Sequence, residues 1–289
     1  MKKTIAPSYG GMVSQVGHLR VNRLLPNPYS SSVGPFVFLD HLFPTYQEPK
    51  TPKAPTGEFA HPHRGIATFS YLFSGELEHY DSRGHHGIVK AGGAQWMKAG
   101  NGIIHDENPG LDFQQKGGLL HALQFWINLP AKNKAEQPEY LALQAEGIPE
   151  LSLPDGAGIL RVVIGEYEGI TSPVKTFGPQ FIYHVRLSPG GTFEFIPNRD
   201  FEFAILVPTE PVAIDSTTEK NSRLVGFDTD SQPVELANPG EKPADVILFG
   251  GIPYTEPIVA EGPFVMNSRL EIADAYRDFF EGKYGVIGY

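Results

Sequence analysis

Short apolar or alternating runs, each closed by glycine or proline, fill most of this chain. That rhythm restricts it to β-architecture. The 289 residues include 32 Gly and 26 Pro, the residues that supply unusual backbone angles or remove a backbone donor and so end regular structure. Between them lie strand-like runs: Phe36–Leu39, entered from the turn pair Gly34-Pro35, then Ala67–Phe73, Leu119–Ile127, Leu160–Ile164, Phe181–Leu187, Phe201–Val207 and Val246–Phe249. Many short strands with few helical periods predict an all-β sandwich or barrel of antiparallel strands. One helix is expected near the C-terminus. Ser268 and Glu271 form an S-x-x-E capping box, Leu270, Ile272, Ala273, Tyr276, Phe279 and Phe280 form an apolar stripe, and Gly282 ends it.

The length suits one large domain or two ordinary ones. From Leu129 to Pro154 the patterning lapses into a polar, proline-containing stretch that reads as a connector. A boundary near residue 140 gives two expected domains, 1–140 and 141–289. No repeat shows by identity, although both halves consist of similar short-strand material, which leaves a diverged duplication open.

Composition removes several function classes. With no cysteine, disulfides, thiolate–metal sites and cysteine nucleophiles are excluded. The opening MKKTIAPSYGG has no apolar run behind its lysines, and no stretch reaches the roughly 20 apolar residues of a membrane span; a soluble, cytoplasmic protein without membrane partners is expected. Residues 1–140 hold 13 Lys+Arg and 11 Asp+Glu, whereas residues 141–289 hold 10 and 22. An acidic half with no compensating basic cluster argues against direct nucleic-acid binding.

The specific chemical signal is a pair of short motifs. His61-Pro62-His63 is followed some forty residues later by His105-Asp106-Glu107. Each offers metal-type ligands at i and i+2, and alternate side chains of a strand share a face. Two such strands side by side would aim three imidazoles and one carboxylate at one point, a donor set for Fe(II), Mn, Ni, Cu or Zn rather than Ca or Mg. An isolated H-x-H is weak evidence and can be a hydrogen-bonded surface pair. Two such pairs, each at the edge of an apolar β segment, are harder to dismiss.

These residues carry a family resemblance. HPHRG, then SGELEHYDSRG, then GGAQWMKAGNGIIHDENP, resembles the metal-binding half of the pirins, members of the cupin superfamily. VNRLLPNPYSSSVGPFVFLDHLFP, LQFWINLPAKNKAEQPEY and EPIVAEGPFVMNSRLEI resemble further pirin segments in the same order, so the likeness covers nearly the whole chain. It implies a bicupin: two jelly-roll-type antiparallel β-barrels with a C-terminal helix, and a metal in the N-terminal barrel only. It implies His61, His63, His105 and Glu107 as ligands and Fe(II) as the metal, with Mn, Ni, Cu, Co or Zn as alternatives. It also implies one of two roles. The first is cleavage of quercetin or a related flavonol with O2, releasing carbon monoxide, with Glu107 also acting as general base toward the flavonol 3-hydroxyl. The second is a metal- or redox-responsive regulator acting through protein partners. Two positions depart from the pattern. Ala67 stands where many pirins carry Glu, and Asp106 where Ser or Ala is commoner; the i+1 position of Asp106 predicts that it points away from the ligands.

The other histidines have plainer expectations. His184, the one histidine after residue 140, sits in an apolar run and reads as hydrogen-bonded and structural. His79 either approaches the pocket or lies on a strand surface. His85 and His86 occupy a glycine-flanked turn and should be solvated. His41 is structural or close to the ligands, His121 shares strand parity with Leu119, Leu123 and Phe125, and His18 carries no signal. Gln95 and Trp96 are expected to pack.

Overall fold

A computed structural model describes residues 5–16, 19–227 and 232–289. His18 and the first four residues of MKKTIAPSYGG lie outside them. Every predicted strand is present: 66–74, 118–128, 158–164, 180–187, 202–207 and 244–251 lie within two residues of their expected bounds, whereas the strand entered at Phe36 runs on to Gln47, eight residues past its expected end. Paired strands run antiparallel, and two α-helices occur among the described residues.

The chain forms two units. One contains Met1–Val16, Val21–His41 and Ile148–Pro253; the other contains Gly17–Arg20, Leu42–Gly147 and Tyr254–Tyr289. A single cut near residue 140 therefore does not describe the grouping. The segment expected to end the second domain, helix included, belongs with the H-x-H segment. Residues 21–41, counted with the first domain, belong with the C-terminal half.

The first unit has a seven-stranded sheet and a four-stranded sheet. Strand 180–187 lies inside the larger sheet and is buried on nearly its whole length, which explains its near-continuous apolar run. Its core is aromatic: Phe203 stacks on Phe227 with centroids 4.7 Å apart, and Phe181 on Tyr183 at 4.6 Å. Each such buried ring contributes on the order of 1.5–3 kcal/mol. The two histidines of this unit are structural. His184 shares a hydrogen bond with Asp245 at 2.9 Å, and the His41 Nδ1 lies 2.6 Å from Ser222 Oγ.

In the second unit the strands are β1 (His61–His63), β2 (Ile66–Ser74), β3 (Glu76–Asp81), β4 (His86–Lys90), β5 (Ala94–Lys98) and β6 (Ile103–Asn108). Helix α1 (Leu111–Lys116) leads into β7 (Gly118–Asn128), followed by β8 (Glu139–Leu143). One sheet runs β1-β6-β3-β4, and in the other β8, β5, β2 and β7 are successive neighbours. β8 lies inside the segment expected to be a connector. It is half-buried throughout and pairs with β5, Tyr140 opposite Met97.

The chain then adds β9 (Val259–Glu261), β10 (Phe264–Met266) and helix α2 (Arg269–Phe280). Ser268 caps α2 by accepting the N–H of Glu271, while the Glu271 carboxylate accepts the N–H of Asn267. The buried face of α2 is Ile272 and Ala275, with Tyr276 and Phe279 packed beside them. The expected stripe is corrected at three positions: Leu270 and Phe280 are 73% and 79% exposed, and Ala273 is exposed between them. β10 lies along the HPHRG segment: Val265 donates to the Arg64 carbonyl at 3.1 Å, and the Arg64 guanidinium pairs with Asp278 of α2 at 2.7 Å. This contact requires glycine at 65, where φ is +80° and a Cβ would stand 2.0 Å from the Val265 oxygen.

Candidate metal centre

Register assembles the site. β6 pairs with β1 so that His105 faces His61, and with β3 so that Glu107 faces His79 and His105 faces Asp81. Directly paired residues, and residues two apart on one strand, point to one side of a sheet. His61, His63, His105, Glu107, His79 and Asp81 therefore share a face.

The three expected histidine ligands converge. One ring nitrogen from each of His61, His63 and His105 lies within 4.8 Å of the others, and His61 Nε2 and His105 Nε2 are 3.1 Å apart. Two nitrogens bound at about 2.1 Å and at right angles on one ion stand about 3 Å apart, so this spacing fits a shared cation. His61 Nδ1 lies 2.8 Å from the Phe59 carbonyl and His63 Nδ1 lies 3.0 Å from the Pro263 carbonyl. A carbonyl only accepts, so both rings are protonated at Nδ1 and present a bare Nε2, the usual outer partner of a metal-bound histidine. Burial and the neighbouring His61 push His63 down to about 3. Burial, with His61, His63 and His79, holds His105 well below the ordinary histidine value. These are neutral imidazoles, as ligation requires. Trp126 closes one side, its ring centroid 5.0 Å from that of His63.

The fourth expected ligand is placed differently. Glu107 falls into a second group with His105 and His79, its Oε1 3.9 Å from His105 Nδ1. The same oxygen accepts the Gln95 Nε2–H. The Ser70 hydroxyl lies 3.4 Å from it and donates to Gln124 at 2.7 Å. Burial pushes Glu107 up to about 7 against these hydrogen bonds, with Asp106 adding repulsion. Gln95, Ser70 and Gln124 form one rung across β5, β2 and β7; sequence reading left Gln95 to packing because the cross-strand partner of a residue is invisible in a linear pattern. Asp106 points to the other side of β6, where it is buried and accepts from Tyr289 and Asn108 at 2.7 Å each. Ala67 has the opposite strand parity to Ser70 and is buried beside Phe69 and Tyr71, so the departure there leaves the ligand face unaltered.

His79 is fully buried against His105, the centroids 5.5 Å apart. His85 and His86, half-exposed, lie 2.8 Å from Asp81 and Glu78 rather than standing free in solvent. His121 stacks on Phe73 at 4.4 Å. No helix among the described residues is long and apolar enough to cross a membrane.

Two antiparallel units, one of them carrying a histidine cluster, define a two-domain cupin protein. Residues 18–127 match the family model described as Pirin, and residues 182–285 that described as Pirin C-terminal cupin domain. The chain belongs to the pirin family. It is 34% identical over 258 residues, 89% of each chain, to a Pseudomonas aeruginosa protein named "Putative quercetin 2,3-dioxygenase". The crystal structure of a quercetin 2,3-dioxygenase from Acinetobacter baumannii superposes with a TM-score of 0.92 at 30% identity, covering 100% of both chains. A bacterial pirin from Escherichia coli, solved in complex with nickel(II), shares the fold at TM-score 0.63 and 19% identity, covering 84% of this chain and 96% of its own.

Proposed function

We propose that this chain is a metal-dependent dioxygenase that opens quercetin or a related flavonol with O2. His61, His63, His105 and Glu107 hold a divalent transition metal, Fe(II) first. One observation carries the reading: two imidazoles tied at Nδ1 to backbone carbonyls and a third beside them, all three with ring nitrogens gathered within 4.8 Å. The similarity to proteins named as quercetin 2,3-dioxygenases supports the substrate class.

An ion held by these residues would supply Lewis acidity toward a substrate hydroxyl. The residues of the chain do the rest. Glu107 is the one expected ligand that can also accept a proton, and on release from the ion it takes the flavonol 3-hydroxyl proton. Gln95 holds its Oε1 in place. Trp126 and the rung of Ser70, Gln95 and Gln124 form a wall with both apolar and hydrogen-bonding character, suited to a planar polyphenol.

The test is oxygen consumption by iron-loaded protein with quercetin. Uptake matched by carbon monoxide release, and abolished in His63→Ala, supports the assignment. No turnover of any flavonol by metal-loaded protein, together with metal-dependent capture of a protein partner, would replace it with the regulatory role.

A further inference from the structure

We propose that His79 is a metal-binding side chain, and that with His105 and Glu107 it forms a second seat for a divalent transition cation beside the one framed by His61, His63 and His105. The inference rests on the reading of this pocket as a metal site and extends it to a residue outside the expected ligand set.

The geometry of His79 is that of a prepared ligand. It faces Glu107 across the β3–β6 pair. One ring nitrogen each from His79 and His105 and a Glu107 carboxylate oxygen lie within 4.8 Å of one another. Its Nε2 is 3.0 Å from Asp81 Oδ2. Asp81 is itself fixed, because its Oδ1 accepts the backbone N–H of Arg83 at 2.8 Å and of His85 at 3.0 Å. A carboxylate can only accept, so His79 carries its proton on Nε2 and leaves Nδ1 bare. That Nδ1 is buried and has no hydrogen-bond partner. A carboxylate behind a histidine whose other nitrogen is bare is the common outer arrangement of metal-bound histidines. Tyr140, stacked on the ring at 4.1 Å, fixes its plane.

His105 links the two seats. Its Nε2 edge meets His61, while its Nδ1, also buried and without a hydrogen-bond partner, looks toward Glu107. A neutral imidazole has one bare nitrogen, so His105 serves one seat at a time, and the protein holds a single ion.

The experiment is Ni(II) titration by equilibrium dialysis, with Co(II) absorption as the signature of coordination. Wild type should bind one ion. The double variant His61→Ala/His63→Ala should still bind one ion, more weakly and with an altered Co(II) spectrum. Adding His79→Ala should remove that residual binding, and adding Asp81→Asn should weaken it roughly 10–100-fold. His79→Gln replaces the alanine variant if circular dichroism shows that the latter does not fold. Adding His86→Ala instead, at an exposed ring that contacts Glu78 rather than Asp81, should change nothing. Residual binding that survives loss of His79, or that disappears with His86, overturns the second seat. So does complete loss of binding in the double variant when wild type binds one ion, a result that leaves the first seat standing. Wild type that binds no metal fails the underlying reading as well.

Discussion

The Tyr140 hydroxyl donates to Gln95 Oε1 at 3.2 Å, and that bond decides which end of the Gln95 amide meets Glu107. With Oε1 taken, Nε2 is turned to donate to the carboxylate. Burial, reinforced by the negative charges of Glu107 and Asp81, raises Tyr140 well above the ordinary tyrosine value, so it remains a donor across the working range. Tyr140→Phe frees the amide to present oxygen to oxygen. The expected result is a loss of metal affinity of about tenfold or more with little change in fold, read by chelator competition. Unchanged affinity would remove Gln95 orientation from the account.

Glu107 gives the metal-free protein a pH signature. Its carboxyl titrates at about 7, against 4.5 in a free chain. Between those values the folded protein keeps a proton that the unfolded chain has released, so stability falls as pH rises through the window. Relative to Glu107→Gln, metal-free wild type should lose up to about 3 kcal/mol between pH 4.5 and 7. Urea midpoints at the two ends check this, and parallel curves would contradict it.

His63 acts with the opposite sign. It is held at about 3 against 6.5 in a free chain, so below pH 6.5 the unfolded chain takes up a proton that the folded one refuses. The contribution is complete above 6.5 and fades as pH falls toward 3. The stability gap between metal-free wild type and His63→Gln should therefore shift against wild type on going from pH 7.5 to 4.5. Thermal scans at both values measure it.

Lys134 is a buried ammonium held by three neutral oxygens, from Gly65 at 3.1 Å, Asn128 at 2.7 Å and Val265 at 2.6 Å. Burial lowers it to about 8 from 10.5, with Glu271 and Glu256 too weak to restore it. The cost of the charge is fully present below pH 8 and relieved as pH rises to 10.5. Lys134→Met should lack this slope, worth about 3 kcal/mol. Comparing the pH dependence of both proteins, rather than stability at one pH, isolates the effect.

Gly65→Ala should be among the most damaging single-methyl additions. It combines a positive φ with a Cβ placed 2.0 Å from the Val265 oxygen. A loss of roughly 2–4 kcal/mol is expected, with weakened metal binding because His63 takes its acceptor from the same segment. A variant as stable as wild type would show that β10 yields readily.

Much of the ligand face was legible because its ingredients are local. The i, i+2 spacing survives in any strand, and the strand runs and the capping serine needed only their nearest neighbours in sequence. What escaped was non-local. Gln95 meets Glu107 through register between strands, and the acceptor of His63 lies 200 residues away at Pro263. β8 was hidden because a half-buried strand shows no clean alternation. Leu270 and Phe280 fit the helical period yet remain exposed, since periodicity marks a face without saying what covers it. The grouping of 254–289 with the ligand strands has no linear signal.

The Pro263 carbonyl that orients His63 also sets an order of events during synthesis. His61 finds its carbonyl two residues upstream at Phe59, but His63 leaves the ribosome long before its distant backbone partner has been translated. A nascent chain thus carries the His63 ring unlocked until some 200 further residues are made, so the ring is fixed only well after the first barrel strands have been synthesised.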